Sequence, residues 1–240
     1  YVPDSKTCKK VPVPEQTALH LMTAEHKDLL IEQSGAEVEF DALNCCVVIQ
    51  SNAASGTARE NHVQTAAKLV NRVIGHCKWG SSESKVRRIL KPRMLQNVEL
   101  KLSPMDLLPI FERRLTPAQP TISIGKDPSN DVFIKDDLVS RKHCILELDA
   151  ERGGVFVIDT STNGTFLNNE RLPAQGSSKV LLSHGDDLVL KHSDHDPNRE
   201  FGWVVNMTEI AAKGDDTVLQ APRRIINMRD LAPPRALQMT

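Results

Sequence analysis

Two rhythms of hydrophobic and polar positions divide this chain. Over roughly its first hundred residues, apolar positions recur at helical spacing between short extended runs; beyond residue 97 they alternate in brief stretches separated by turn residues. In the first part, Lys10-Val11-Pro12-Val13-Pro14 reads as an edge-type strand. Leu19, Leu21 and Met22 predict a helical stretch, and a second over 27–33 stops at Gly35, a residue suited to closing a helix. Val38 and Phe40 alternate across a strand opened by Ser34-Gly35-Ala36-Glu37-Val38, and Cys46-Val47-Val48-Ile49 forms the next. Over 57–76, Val63, Ala66, Ala67, Val70, Ile74 and Cys77 recur every three or four residues and mark one buried face of a long helix.

In the second part, Val98-Glu99-Leu100-Lys101-Leu102 alternates strictly. Further short apolar runs follow at 132–134, 144–148, 155–158, 165–167, 180–182, 188–190 and 201–205. Many short strands with turn residues between them indicate an all-β sandwich. The expected class is α+β: an N-terminal arm over 1–9, a βααββα domain over 10–80, a basic linker over 81–96, a sandwich over 97–207 and an extended tail over 208–240. The tail holds Ala221-Pro222-Arg223-Arg224 and Leu231-Ala232-Pro233-Pro234-Arg235 and lacks the apolar periodicity of an independent core, so it reads as disordered or as an arm ordered by a partner.

The 240 residues allow two domains with modest cores. A net charge of −1 supplies no global field toward nucleic acid or membrane, so such binding needs a local patch. Aromatics at 4% leave few platforms for stacking bases, and no apolar run reaches the roughly eighteen residues of a membrane span. The five cysteines, Cys8, Cys45, Cys46, Cys77 and Cys144, form no C-x-x-C pair and read as thiols of a reducing, intracellular compartment, whether nuclear, cytoplasmic or mitochondrial.

The richest chemistry lies in three turns: Ile124-Gly125-Lys126-Asp127-Pro128-Ser129-Asn130-Asp131, Val139-Ser140-Arg141-Lys142-His143, and Asp159-Thr160-Ser161-Thr162-Asn163-Gly164-Thr165. Backbone N–H groups, hydroxyls and cationic side chains in such turns can converge at one sheet edge, a donor set that suits phosphate. The ordered motifs resemble the forkhead-associated (FHA) family, with its Gly-Arg, Ser-x-x-His and Asn-Gly-Thr pattern, over about 97–207; Ser183-His184-Gly185-Asp186-Asp187 also matches the pattern near its end. The resemblance implies a reader of phosphothreonine peptides. Lys126, Ser140 and Arg141 would meet the phosphate, and Thr162 and Asn163 the ligand backbone and phosphothreonine side chain. Gly125, His143 and Gly164 would support the pocket. Lys126 stands where the family usually has Arg; it keeps the charge but lacks the planar fork, so the expected contact is weaker.

The order β-α-α-β-β-α over 10–80 resembles the KH family of single-stranded RNA binders. That family grips the nucleic-acid backbone with a Gly-x-x-Gly loop between its first two helices. Here Leu21-Met22-Thr23-Ala24 occupies that stretch and Glu25 follows, so the resemblance implies a degenerate domain serving protein contact or scaffolding. In the basic linker, Lys85, Arg87, Arg88, Lys91 and Arg93 form a patch that reads either as a solvated segment or helix face or as a contact to phosphate backbones.

Signals of catalysis are weak. Gly125-Lys126 lacks the leading glycine of a P-loop, with Pro120 in its place, and Asp127 stands where Ser or Thr is required. His192-Ser193-Asp194-His195-Asp196 reads as a solvated loop before a metal site, and the side chains of Cys45 and Cys46 point to opposite strand faces. No cofactor or metal is expected. The expected function is a non-catalytic adaptor that recognises a phosphorylated protein partner and associates with RNA or a ribonucleoprotein as part of a larger assembly, away from membranes. The alternative is a constitutive structural subunit of a large ribonucleoprotein, such as a ribosome, possibly organellar, in which both domains are scaffolds.

Overall fold

The computed structural model describes residues 7–174, 176 and 178–210. The expected arm thus lies largely, and the expected tail almost wholly, outside the described residues. Five elements open the chain: β1 (Cys8–Pro12), α1 (Glu15–Leu21), α2 (Ala24–Ser34), β2 (Glu37–Asp41) and β3 (Cys46–Gln50); the long α3 (Gly56–Cys77) follows. The three strands pair antiparallel in the order β1-β3-β2. Alternation puts Val11, Val38, Val47 and Ile49 inside, against Leu21, Leu30, Val63, Ala66 and Val70 from the helices. The opposite face of β2 presents Glu37, Glu39 and Asp41, an acidic row at the sheet edge.

Helix α2 begins earlier than the apolar pattern implied because the Thr23 hydroxyl accepts the His26 N–H at 3.4 Å and caps it. It ends where expected, at Gly35, whose φ of 68° is left-handed. Only Met22 and Thr23 lie between α1 and α2, so a backbone-gripping loop has no length there.

The expected linker over 81–96 is corrected by the structure. Ser82 caps a further helix, α4 (Glu83–Leu90), and Val86, Ile89 and Leu90 are buried in the N-terminal core. Their i, i+3, i+4 spacing is that of an amphipathic helix. Phe156 and Leu181 of the sandwich join the same core, and the residues through Ile210 form one compact unit. The boundary expected near residue 80 is therefore a packed interface.

The sandwich comprises β4 (Val98–Pro104), β5 (Phe111–Leu115), β6 (Thr121–Gly125), β7 (Val132–Phe133), β8 (Cys144–Asp149), β9 (Gly154–Asp159), β10 (Phe166–Leu167), β11 (Glu170–Arg171), β12 (Val180–Leu181), β13 (Asp187–Val189) and β14 (Gly202–Glu209). One sheet runs β11-β10-β13-β14-β4-β5, the other β12-β9-β8-β6-β7. Between them lie Leu100, Leu102, Ile122, Ile124, Leu146, Val157 and Trp203, the last fully buried with its indole N–H donating to the Pro109 carbonyl at 3.0 Å. Strand β14 reaches Glu209, opposite Val98, beyond the expected end at 207. No described helix is long and apolar enough to cross a membrane.

Candidate functional site

At one end of the sandwich the three motif turns meet. The first leaves β6 at Gly125 and is held by its own polar side chains. The Asp127 carboxylate accepts the Ser129 N–H at 2.9 Å, and the buried Asn130 amide donates to the carbonyls of Asp127 (2.8 Å) and Arg141 (2.7 Å). Backbone bonds Lys126 N–H to Ser140 O (3.0 Å) and Asp127 N–H to Arg141 O (3.1 Å) lash it to the second turn. The third is braced from beneath: Asp159 accepts the Ser161 N–H and the hydroxyls of Ser161 and Thr165, and the Ser161 hydroxyl accepts the Gly164 N–H at 2.8 Å. Short polar residues in turns make such local bonds, which fix the loops before any ligand arrives.

The result is an open cleft of about 650 Å³ lined by Lys126, Ser140, Arg141, Thr162 and Asn163, together with Asp127, Asp137, Leu138, Val139 and Lys142. All five expected contact residues share it. Arg141 is exposed and has no ion pair among the described residues. Lys126 reaches across to the Asp137 carbonyl at 3.4 Å. The Ser140 hydroxyl accepts the Thr162 N–H at 3.0 Å, which leaves its own proton to donate. The Asn163 amide donates to the Leu138 carbonyl at 2.8 Å and ties the two walls together. Asp127 is an acidic member, and hydrogen bonding from Ser129 holds its carboxyl below the usual range, so it stays ionised in the cleft.

Gly125, Gly164 and His143 each hold a specific place in the turns. Gly125 lies under the second turn, where a Cβ would meet the Arg141 carbonyl oxygen at 2.3 Å; close backbone approach is what demands glycine. Gly164 has a φ of 101°. His143 is wholly buried: its Nδ1 accepts the Ser140 N–H at 3.1 Å and its Nε2 lies 3.3 Å from the Gly164 carbonyl, so a single neutral tautomer serves both turns.

Burial holds the His143 imidazole below its ordinary value of 6.5 despite the opposing influence of Asp159. Because the folded state binds this proton less readily than the unfolded chain, its stabilising contribution is complete above about pH 6.5 and is lost as pH falls through the lower folded value. Protonation of Nδ1 also removes the acceptor for Ser140. Denaturant midpoints at pH 7 and pH 5 should therefore differ by more in the native protein than in His143→Gln. Equal pH dependence in the two would show that this histidine is not the titrating group.

Of the expected nucleic-acid contacts, Lys85 is corrected by the structure, and three of the others are held in ion pairs. Lys85 is 2% exposed, with its ammonium 3.7 Å from Asp186 and 3.5 Å from the Trp79 carbonyl, and cannot reach a phosphate. Arg88 donates to the Gly153 carbonyl and pairs with Glu209, Arg93 pairs with the same carboxylate, and Arg87 pairs with Glu25 at 3.0 Å. Lys91 is exposed and lies just past the end of α4. Of the histidine-rich loop, His192 faces Asp194 at 3.1 Å, while both oxygens of Asp196 accept backbone N–H groups of Glu200 and Phe201, which leaves no convergent ligand set there. The bracing residues Asn130, Asp159, Ser161 and Thr165 had a signal in the sequence, an Asx or hydroxyl residue within each turn, but no pattern that separates a brace from a ligand contact.

Residues 122–191 match the family model described as FHA domain. The glycogen accumulation regulator GarA of Mycolicibacterium smegmatis is 39% identical over 74 residues, 30% of this chain and 42% of that protein. The probable serine/threonine-protein kinase fhkA of Dictyostelium discoideum is 35% identical over 92 residues, 35% of this chain and 15% of the kinase. The chain thus spans less than half the length of these curated relatives. Among solved structures, the N-terminal FHA domain of Rad53p from S. cerevisiae, in complex with a phosphothreonine peptide, superposes with a TM-score of 0.38 at 21% identity, over 47% of this chain and 93% of that one. The stretch 122–191 of this protein is an FHA domain.

Proposed function

We propose that this protein is a non-catalytic adaptor that binds a phosphothreonine-containing segment of a partner protein in the cleft between the three turns. The observation that carries this is the convergence of Lys126, Ser140, Arg141, Thr162 and Asn163 on one open cleft. Arg141 supplies an unpaired guanidinium, Lys126 a second cation, and Ser140 and Asn163 short donors on opposite walls. This set suits a tetrahedral dianion beside an extended peptide. GarA, named as a regulator, fits such a role.

The N-terminal half serves here as a degenerate KH-like brace. Its βααββα order and β1-β3-β2 sheet support that assignment. The two-residue turn at Met22-Thr23, the acidic row on β2 and the engaged cations of α4 support protein contact over direct RNA binding. Free Cys8, Cys45, Cys46, Cys77 and Cys144 suit a reducing compartment.

Calorimetric titration of the full chain with a phosphothreonine peptide library tests the reading. Arg141→Ala removes a charge-assisted contact worth about 1.5–3 kcal/mol and should weaken binding roughly ten- to a hundredfold. Equal affinity of the native protein for phosphorylated and unphosphorylated peptides would overturn it.

A further inference from the structure

Among the described residues, six strands form the edges of the three sheets, and five of them are guarded or short. An open edge exposes unpaired N–H and C=O groups, which folded chains blunt with lysine, proline, charge or brevity. Strands β7, β11 and β12 have two residues each. Strand β1 carries Lys9, Lys10 and Pro12, and β2 carries the acidic row Glu37, Glu39 and Asp41. Strand β5, Phe111-Glu112-Arg113-Arg114-Leu115, has five residues, no lysine and no proline, and pairs only with β4 among the described residues.

The charges of β5 are self-complementary. In an antiparallel pairing with β5 of a second copy, about a twofold axis at Arg113, Glu112 falls opposite Arg114 and Phe111 opposite Leu115. Glu112 and Arg114 are both exposed. Within each copy, Glu112 already stands across from Lys101 and Arg114 across from Glu99. Each row across the joined sheets would thus read Lys101, Glu112, then Arg114 and Glu99 of the second copy, alternating in sign throughout. Arg114 has no ion pair among the described residues. Glu112 keeps a second oxygen beyond its 2.6 Å contact to Lys101. Arg113 would meet its own counterpart on the axis, but Asp131 at 2.5 Å neutralises it. The same operation applied to β2 sets acid against acid, Glu37 opposite Asp41 and Glu39 opposite itself. Just before β5, Leu107 and Ile110 are 65% and 62% exposed, and the register sets Ile110 against Thr116 of the second copy, which would cover it.

We infer that β5 is a self-association edge, on which a second copy of this chain pairs antiparallel to form a twofold dimer with one sheet continuous across it. A single strand pair buries little area, so the dimer is weak and fills only as concentration rises. Sedimentation velocity of the full chain over a concentration series should show a reversible shift from monomer to dimer. Amide hydrogen exchange should slow within 112–114 over the same series. Glu112→Arg and Arg114→Glu each set like charges opposite one another twice per dimer, and each should weaken self-association at least about tenfold. An equimolar mixture of the two variants should associate again, because each then meets the opposite sign across the axis. Circular dichroism checks that both variants are folded; if either is not, the exchange measurement on the native chain decides alone. A native chain that stays monomeric at its highest soluble concentration overturns the inference. So does a dimer with unchanged exchange within 112–114, a dimer that both variants leave intact, or a mixture of folded variants that stays monomeric.

Discussion

Asp186→Ala is expected to destabilise the folded chain by about 3–5 kcal/mol, the usual cost of removing one partner from a buried ion pair. Asp186 is 7% exposed and connects both halves. One oxygen accepts the Asn168 amide at 2.9 Å, the other the Ser183 N–H at 2.7 Å, and the buried Lys85 ammonium lies 3.7 Å away. Burial already pushes the Lys85 ammonium below the usual lysine range, and Asp186 is the chief opposing influence. Without the carboxylate, Lys85 is left with the Trp79 carbonyl or must give up its proton. Equilibrium denaturation at neutral pH measures the loss. Lys85→Met in the same background should restore part of it, because an apolar chain of similar length leaves no charge uncompensated. A change in Asp186→Ala within about 0.5 kcal/mol, typical of an unremarkable surface site, would show that the interface does not depend on this pair.

Gly125→Ala should cost both stability and binding. The added methyl would sit 2.3 Å from the Arg141 carbonyl oxygen and 2.8 Å from that of Ser140. These are backbone atoms, so no rotamer change relieves the contact. The two turns are also lashed together on either side, by Lys126 N–H to Ser140 O and by His143 N–H to Ile124 O at 2.8 Å. Overpacking of this kind costs roughly 1–3 kcal/mol, and here the relief displaces Ser140 and Arg141, two of the residues proposed to meet phosphate. Phosphopeptide affinity should fall at least about tenfold, a loss of about 1.4 kcal/mol, while the rest of the sandwich stays folded. Thermal denaturation and peptide titration on one sample separate the two effects. Native-like affinity in Gly125→Ala would mean that the second turn does not present the ligand contacts.

Strands are legible in the sequence where a run of apolar residues marks burial, on one face as in β4 or on both as in β9. Strand β4 alternates strictly because Val98, Leu100 and Leu102 enter the core while Glu99 and Lys101 face outward. Strand β5 carries no such signal, because Phe111-Glu112-Arg113-Arg114-Leu115 has apolar residues only at its ends; pairing with β4, including a Lys101–Glu112 ion pair at 2.6 Å, holds it at the sheet edge. In α4, the spacing of Val86, Ile89 and Leu90 was present in the sequence but overlaid by charge. The burial of Lys85 depends on Asp186, a partner about a hundred residues away that no local pattern could nominate.

The cleft between the three turns was legible for a related reason. Its turns are built by Gly, Ser, Asn and Asp residues that bond their own neighbours, so each motif specifies its loop almost unaided. The sequence by itself thus determined the turn chemistry, the alternating core of the sandwich and the helical face of α3, because all three follow from short-range bonding or from a period of burial. Tertiary structure decided the rest. It brought the Arg141 carbonyl over Gly125, turned the basic segment into an interface helix, and placed Asp131 beside Arg113. Each of these joins segments distant in the chain, where only the close packing of the folded state determines which polar groups are neutralised and which stay free.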